Sequence, residues 1–131
     1  MNLLIDTNAF LWYADGDPQL TSKAAQLITD PSNELFLSLA SIWEIAIKSG
    51  IKKLKLPKNY SIYMADAIAA LDLTVLPLSL DDCIAYERLP FPSKSHRDPF
   101  DRMIITQAVG NQLAVVGSDA DFDAYGITRH W

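Results

Sequence analysis

The 131-residue sequence contains a single cysteine, Cys83, so no internal disulfide can form. A fold that does not depend on oxidation suits a reducing cytoplasm, and that is the expected location. Histidine is scarce as well, with only His96 and His130. One Cys and two scattered His are too few for a structural zinc site. No apolar run approaches the ~18 residues a bilayer-spanning helix needs, so no membrane partner is expected. Residues 1–6 carry no basic stretch and meet an acid after three apolar residues, unlike a secretory signal. Positive charge is also in short supply, with 11 Lys and Arg against 16 Asp and Glu and a net charge of −5. Sequence-blind nucleic-acid binders are basic. This chain would need a local basic patch or a bound cation to approach a polyanion.

Half of the residues are apolar and 21% are charged, the balance of a globular chain that buries a core. Repeats, low-complexity tracts and linkers are missing, so residues 1–131 are expected to form one domain. Leu3-Leu4-Ile5 is a short apolar run ending at Asp6, and residues 113–116 form another, followed by Gly117-Ser118-Asp119. Such runs predict strands buried on both faces, as in a parallel sheet. Residues 35–37 and 74–76 predict two more strands. Helices are predicted over 8–14, with Thr7 or Asn8 at the start, and over 22–29, 41–49, 59–71, 80–88 and 99–111. Gly50 would close the third of these, while Asp98 and Pro99 suit the N-cap and first position of the last. Strands alternating with helices give an α/β fold, a mostly parallel sheet flanked by helices. Sites in such folds lie at the carboxyl ends of strands.

Asp6 and Asp119 fall where two of those strands should end, at one edge of the sheet if the strands are parallel. Each alone also suits a turn or a helix cap. Glu44 is the only charge between Glu34 and Lys48, on a helix apolar nearly all round, which predicts a buried element. A carboxylate there needs a partner or a metal. Ser41-Ile42-Trp43-Glu44 equally matches a capping box, in which Glu44 would only reach back to the Ser41 N–H. Asp101 lies in the first turn of the last helix, where the dipole favours its charge. Four acids at strand and helix ends have one common explanation, a cleft holding a divalent cation, with oxygen donors suited to Mg²⁺ or Mn²⁺.

Four segments together resemble the PIN domain, and more narrowly the VapC-like toxins of type II toxin–antitoxin systems. They are Leu4-Ile5-Asp6-Thr7-Asn8, Ser41 to Lys48 with Glu44 inside, His96-Arg97-Asp98-Pro99-Phe100-Asp101-Arg102 with the helix that follows, and Val116-Gly117-Ser118-Asp119. The resemblance spans essentially the whole chain in order. It implies a PIN-like fold and a Mg²⁺-dependent endoribonuclease, usually a homodimer, inhibited by a cognate antitoxin. It implies an acidic cluster of Asp6, Glu44, Asp101 and Asp119 that holds the metal and carries the catalysis, with Asp121 and Asp123 as rivals for the fourth place. Thr7, Asn8 and Ser118 match small polar positions beside the cluster. Cleavage of an RNA phosphodiester would leave a 5′-phosphate and a 3′-hydroxyl.

Lys48, Lys52, Lys53, Lys55 and Lys58 stand within 11 residues without an acid among them, a solvated surface or a guide for RNA. Lys94, Arg97 and Arg102 flank the Asp98/Asp101 block, where Arg97 and Arg102 are expected to contact substrate phosphates, with pairing to an acid as the alternative for Arg102. His96 reads first as a structural or loop residue. Trp12, Tyr13, Trp43, Tyr60, Tyr63 and Phe100 read as core or interface residues. Two other phosphoryl hydrolases are disfavoured: Asp6-Thr7-Asn8 lacks the second acid of D-x-D, and no P-loop motif is present. A flap-type DNA nuclease would need more acids and helices than the chain offers. The remaining alternative is a non-catalytic PIN-fold module that binds RNA or protein, which the complete set of four acids disfavours.

Overall fold

In a computed structural model describing residues 1–131, strand β1 (Asn2–Ile5) occupies the centre of a five-stranded sheet. Its sequence explains the position. Leu3 and Ile5 point to one side and pack with Phe10, Leu37, Ile45 and Tyr63. Leu4 points to the other and packs with Ile104, Ile105, Val115 and Phe122. A strand apolar on both faces must be covered on both, which a parallel sheet with flanking helices achieves. The remaining strands are β2 (Glu34–Ser38), β3 (Thr74–Leu76), β4 (Ala114–Val116) and β5 (Arg129–His130). Their order is β3-β2-β1-β4-β5, and every pairing is parallel. The expected α/β architecture is thus present, with a sheet parallel throughout.

Six helices complete it: α1 (Thr7–Asp15), α2 (Ser22–Thr29), α3 (Leu39–Gly50), α4 (Tyr60–Ala70), α5 (Leu80–Arg88) and α6 (Pro99–Gly110). A 3₁₀ helix over Ala120–Tyr125 follows β4. The chain runs outward from β1 through β2 to β3, then returns to the other side of β1 for β4 and β5. Strand order therefore reverses at β1, and the carboxyl end of a strand at such a reversal is the usual ligand position in open α/β sheets. No helix is long and apolar enough to cross a membrane.

Three expectations change. Helix α3 begins at Leu39, with the Ser38 hydroxyl accepting from the Ala40 N–H at 3.0 Å. Ser41 is therefore already inside the helix, where its oxygen accepts from the Thr7 hydroxyl at 2.9 Å, and the Ser41–Glu44 capping box does not form. Nor is α3 buried all round, since Leu39, Trp43 and Ile47 are exposed. Trp43 instead meets Phe100 edge-on at the surface, with ring centroids 5.4 Å apart. The two-residue β5 and the 3₁₀ helix were not expected, being too short to leave a hydrophobic period.

The third change concerns Arg102, expected at substrate phosphates but only 1% exposed. Its Nη2 donates to the Leu89 carbonyl at 2.9 Å, and its Nη1 to the Pro90 carbonyl at 2.9 Å and the Tyr125 hydroxyl at 3.1 Å. The Phe91 ring covers it, 3.7 Å from guanidinium carbon to centroid. The segment after α5 is thereby tied to α6, and the guanidinium is not free for phosphate. Arg102→Ala should lower stability by about 3 kcal/mol, because charged hydrogen bonds are lost and carbonyls stranded. Arg102→Lys should recover less than half of that, since an ammonium lacks the planar fork. Urea midpoints measure both, and an unchanged midpoint for Arg102→Ala would refute this assignment.

Candidate metal centre

Asp6 follows the last residue of β1 and caps α1, its Oδ1 accepting from the Ala9 N–H at 2.7 Å. Its own N–H donates to the Val116 carbonyl at 3.0 Å, which ties it to the end of β4. Gly117 lies against the carboxylate. A Cβ on Gly117 would overlap Asp6 Oδ2 and come within 2.9 Å of Asp6 Cγ. Only glycine lets the two strand ends meet with the carboxylate between them.

Glu44 projects from α3 and is 6% exposed. Its Oε2 accepts from Lys48 Nζ at 2.8 Å, one turn on, while its Oε1 is buried with no hydrogen-bond partner. Asp119 caps the 3₁₀ helix, with Oδ1 accepting from the Asp121 N–H at 2.9 Å and Oδ2 left to the cleft. Asp101 enters from the first turn of α6. Asp98 is the N-cap there, accepting from the N–H groups of Phe100 and Asp101 at 2.9 and 3.0 Å, which is the capping role expected of it. In Asp6, Glu44 and Asp119 alike, one oxygen is anchored by a local bond and the other is left for a ligand.

Asp6 and Asp101 each feel the charges of Glu44 and Asp119. Asp6 is pushed up to about 6, chiefly by burial and further by the charges of Asp119 and Glu44, against the opposing Ala9 N–H and Arg129. Asp101 is pushed up to about 7, again first by burial, then by Asp98, Glu44, Asp6 and Asp119. Negative charge is thus in excess. Partly buried carboxylates that repel one another and offer free oxygens are a donor set suited to a hard divalent cation.

Asp121 and Asp123 are both exposed. Asp123 forms a two-point pair with Arg129, at 2.8 and 3.0 Å, which holds its carboxyl below the usual range. Arg129 also donates to the Gly117 carbonyl at 3.1 Å and sets a positive charge beside the cluster. Thr7 is buried and spent on Ser41, whereas Asn8 is exposed and Ser118 half-buried beside Asp119. Arg97 is exposed, its Nε bonded to the Lys94 carbonyl at 2.9 Å. In the lysine-rich segment Lys48 is engaged by Glu44, and Lys58 pairs with Asp66 at 2.7 Å. Sequence reasoning missed Gly117 and Arg129 as parts of the site and undervalued His96, which is buried beside Asp101 and Asp119. The G-S-D turn after β4 was the available signal for Gly117.

A family model described as PIN domain matches residues 3–127. No curated protein matches the sequence. Several solved structures resemble the fold along its whole length. VapBC2 from Rickettsia felis, bound to a DNA fragment from their promoter, gives a TM-score of 0.74 at 16% identity, covering 99% of this chain and 98% of that one. VapBC-1 from nontypeable Haemophilus influenzae gives 0.69 at 16% identity, covering 99% and 97%. FitAcB from Neisseria gonorrhoeae gives 0.63 at 19% identity, covering 98% and 96%.

The two raised carboxyls fix the sign of a pH effect. Each binds its proton more tightly folded than unfolded, so the associated stability is complete below about pH 4 and is lost as pH rises through about 6 and 7. In chelator-treated protein the stability should therefore fall between pH 5 and pH 8, by at most about 1.4 kcal/mol per pH unit for each group, and the melting temperature should fall with it. Mg²⁺ should raise the melting temperature more at pH 8 than at pH 5, because ionised carboxylates bind it better. Thermal scans across pH, with and without Mg²⁺, test both; equal Mg²⁺ effects at the two pH values would contradict the assignment. Gly117→Ala should abolish the Mg²⁺ effect by displacing the Asp6 carboxylate, read in the same scans.

Proposed function

The chain belongs to the PIN domain family, and from that premise we propose that it is a Mg²⁺-dependent endoribonuclease, the toxin of a type II toxin–antitoxin pair. One observation supports the nuclease part: the charges of Glu44 and Asp119 act on both Asp6 and Asp101, and the buried Glu44 Oε1 has no hydrogen-bond partner. These four residues would hold the cation, Mg²⁺ by the hardness of their donors and Mn²⁺ as its nearest substitute. When bound, the cation supplies charge neutralisation at the phosphate and a more acidic water. The protein contributes orientation. The Ala9 and Asp121 N–H groups fix Asp6 and Asp119, and Lys48 fixes Glu44, so the inward oxygens are placed before substrate arrives.

Substrate contact is assigned to the cleft rim. Asn8 lies two residues after Asp6 and Ser118 directly before Asp119, both with surface exposed, and Arg97 presents an exposed guanidinium near the start of α6. Thr7 acts indirectly, joining the start of α1 to α3 through Ser41. RNA is favoured over DNA by the resemblance of the sequence motifs to VapC-like toxins. The same resemblance, together with a fold shared with VapBC and FitAcB, supports a protein antitoxin as partner, a homodimer and action in the cytoplasm. The exposed Trp43, the neighbouring Phe100 and the exposed Phe91 offer apolar surface near the cleft for such a partner.

The test uses purified chain with labelled cellular RNA or DNA, in Mg²⁺ or in EDTA. RNA should be cut in Mg²⁺, yield 5′-phosphate ends and remain intact in EDTA. Asp6→Asn and Asp101→Asn should each slow cleavage at least ~100-fold, as loss of electrostatic stabilisation at a transition state does. Asparagine keeps the oxygen that caps α1, so Asp6→Asn should retain the wild-type fold by circular dichroism. Cleavage that persists in EDTA, or at wild-type rates in both variants, would defeat the proposal.

A further inference from the structure

The cleft contains a nitrogen as well as oxygens. His96 is 5% exposed, and its ring stands edge-on to Phe122 and Tyr125. Nδ1 lies 2.7 Å from the Tyr125 hydroxyl, which also accepts from Arg102 Nη1 at 3.1 Å. Arg102 is itself locked onto the Leu89 and Pro90 carbonyls, so the orientation of the imidazole is set from behind. Nε2 is different: it is buried without a hydrogen-bond partner. It faces Asp101 Oδ2 at 3.7 Å and Asp119 Oδ2 at 3.9 Å.

Those separations exceed hydrogen-bond length. One donor atom from each of His96, Asp101 and Asp119 lies within 4.8 Å of the other two. Two ligands bonded at about 2.0–2.2 Å to a common ion stand about 3–4.4 Å apart according to the angle between them, a range that includes the 3.7 and 3.9 Å separations from Nε2. We propose that His96 Nε2 is a metal ligand, forming with Asp101 and Asp119 a mixed nitrogen–oxygen position for a divalent first-row transition cation inside the carboxylate cluster. The inference rests on the cation-dependent function proposed for this cleft and adds to it the choice of ion. Carboxylates alone suit Mg²⁺, whereas an imidazole shifts preference toward transition ions.

Ligation requires a bare Nε2. The ring proton then sits on Nδ1 and is donated to the Tyr125 oxygen, the outer partner that metal-bound histidines characteristically have. The opposite tautomer has the Tyr125 O–H donating to Nδ1 and an Nε2–H facing the two carboxylates. It would make His96 a hydrogen-bond donor and not a ligand. The spacing on both sides of Nε2 favours a third body between these groups over direct bonds.

Mn²⁺ alone is the probe. Pulsed electron paramagnetic resonance of the Mn²⁺-loaded wild-type chain should show the ¹⁴N coupling of a directly bound imidazole. Labelling with ¹⁵N-histidine should convert it to a ¹⁵N coupling, a result that needs no variant to fold. His130→Gln should keep the coupling and His96→Gln should lose it. His96→Gln should weaken Mn²⁺ binding at least ~10-fold and Mg²⁺ binding less. Mn²⁺ that binds, is displaced by Asp101→Asn and shows no imidazole coupling would overturn the ligand role while leaving the nuclease proposal standing. A wild-type chain that binds no divalent cation would overturn both.

Discussion

Repulsion among carboxylates is the constraint on which this structure turns. Asp6, Glu44, Asp101 and Asp119 would separate if they were free to do so. Each is held by the element that delivers it: a strand end, the interior of a helix, the first turn of another helix, and the cap of a 3₁₀ helix. The covalent path alone does not bring them together, since they lie far apart in sequence. The parallel sheet does so, because it collects the carboxyl ends of β1 and β4 at one edge, next to the place where strand order reverses.

The surroundings read as responses to that concentrated charge. Backbone N–H groups take one oxygen each from Asp6 and Asp119, and Lys48 takes one from Glu44. Arg129 places a cation beside the cluster while remaining bonded to Asp123 and the Gly117 carbonyl. Even so, burial and neighbouring charge hold the Asp6 and Asp101 carboxyls well above the usual carboxylate range. Local bonding therefore orients Asp6, Glu44 and Asp119 without cancelling the negative charge they bring together.

The sheet was legible in the sequence because β1 and β4 are uninterrupted apolar runs, which a two-sided burial pattern demands. Most helices were legible for the same reason, with Asp98-Pro99 marking α6 sharply. Asp6 and Asp119 stand where the sequence put them, just after strands, and Asp101 in a first helical turn, whereas Glu44 lies in the middle of α3 and not at its start. Arg102 shows where this kind of inference runs out. In sequence it is a basic residue flanking an acid, but its role depends on the Leu89 and Pro90 carbonyls, which only tertiary folding brings to it. Trp43 shows a second limit: an apolar helix looks buried in one dimension, although half of its circumference can face out. His96 shows a third, since the direction of a ring nitrogen has no signature in sequence at all.

Asp6 both ends a strand and caps a helix, and this has a genetic consequence. A single-base change turns an aspartate codon into an asparagine codon. The amide still offers an oxygen to the Ala9 N–H. The charge of this carboxylate is therefore uncoupled from the helix cap, and a lineage could remove it in one mutational step while the fold and outer surface are inherited intact.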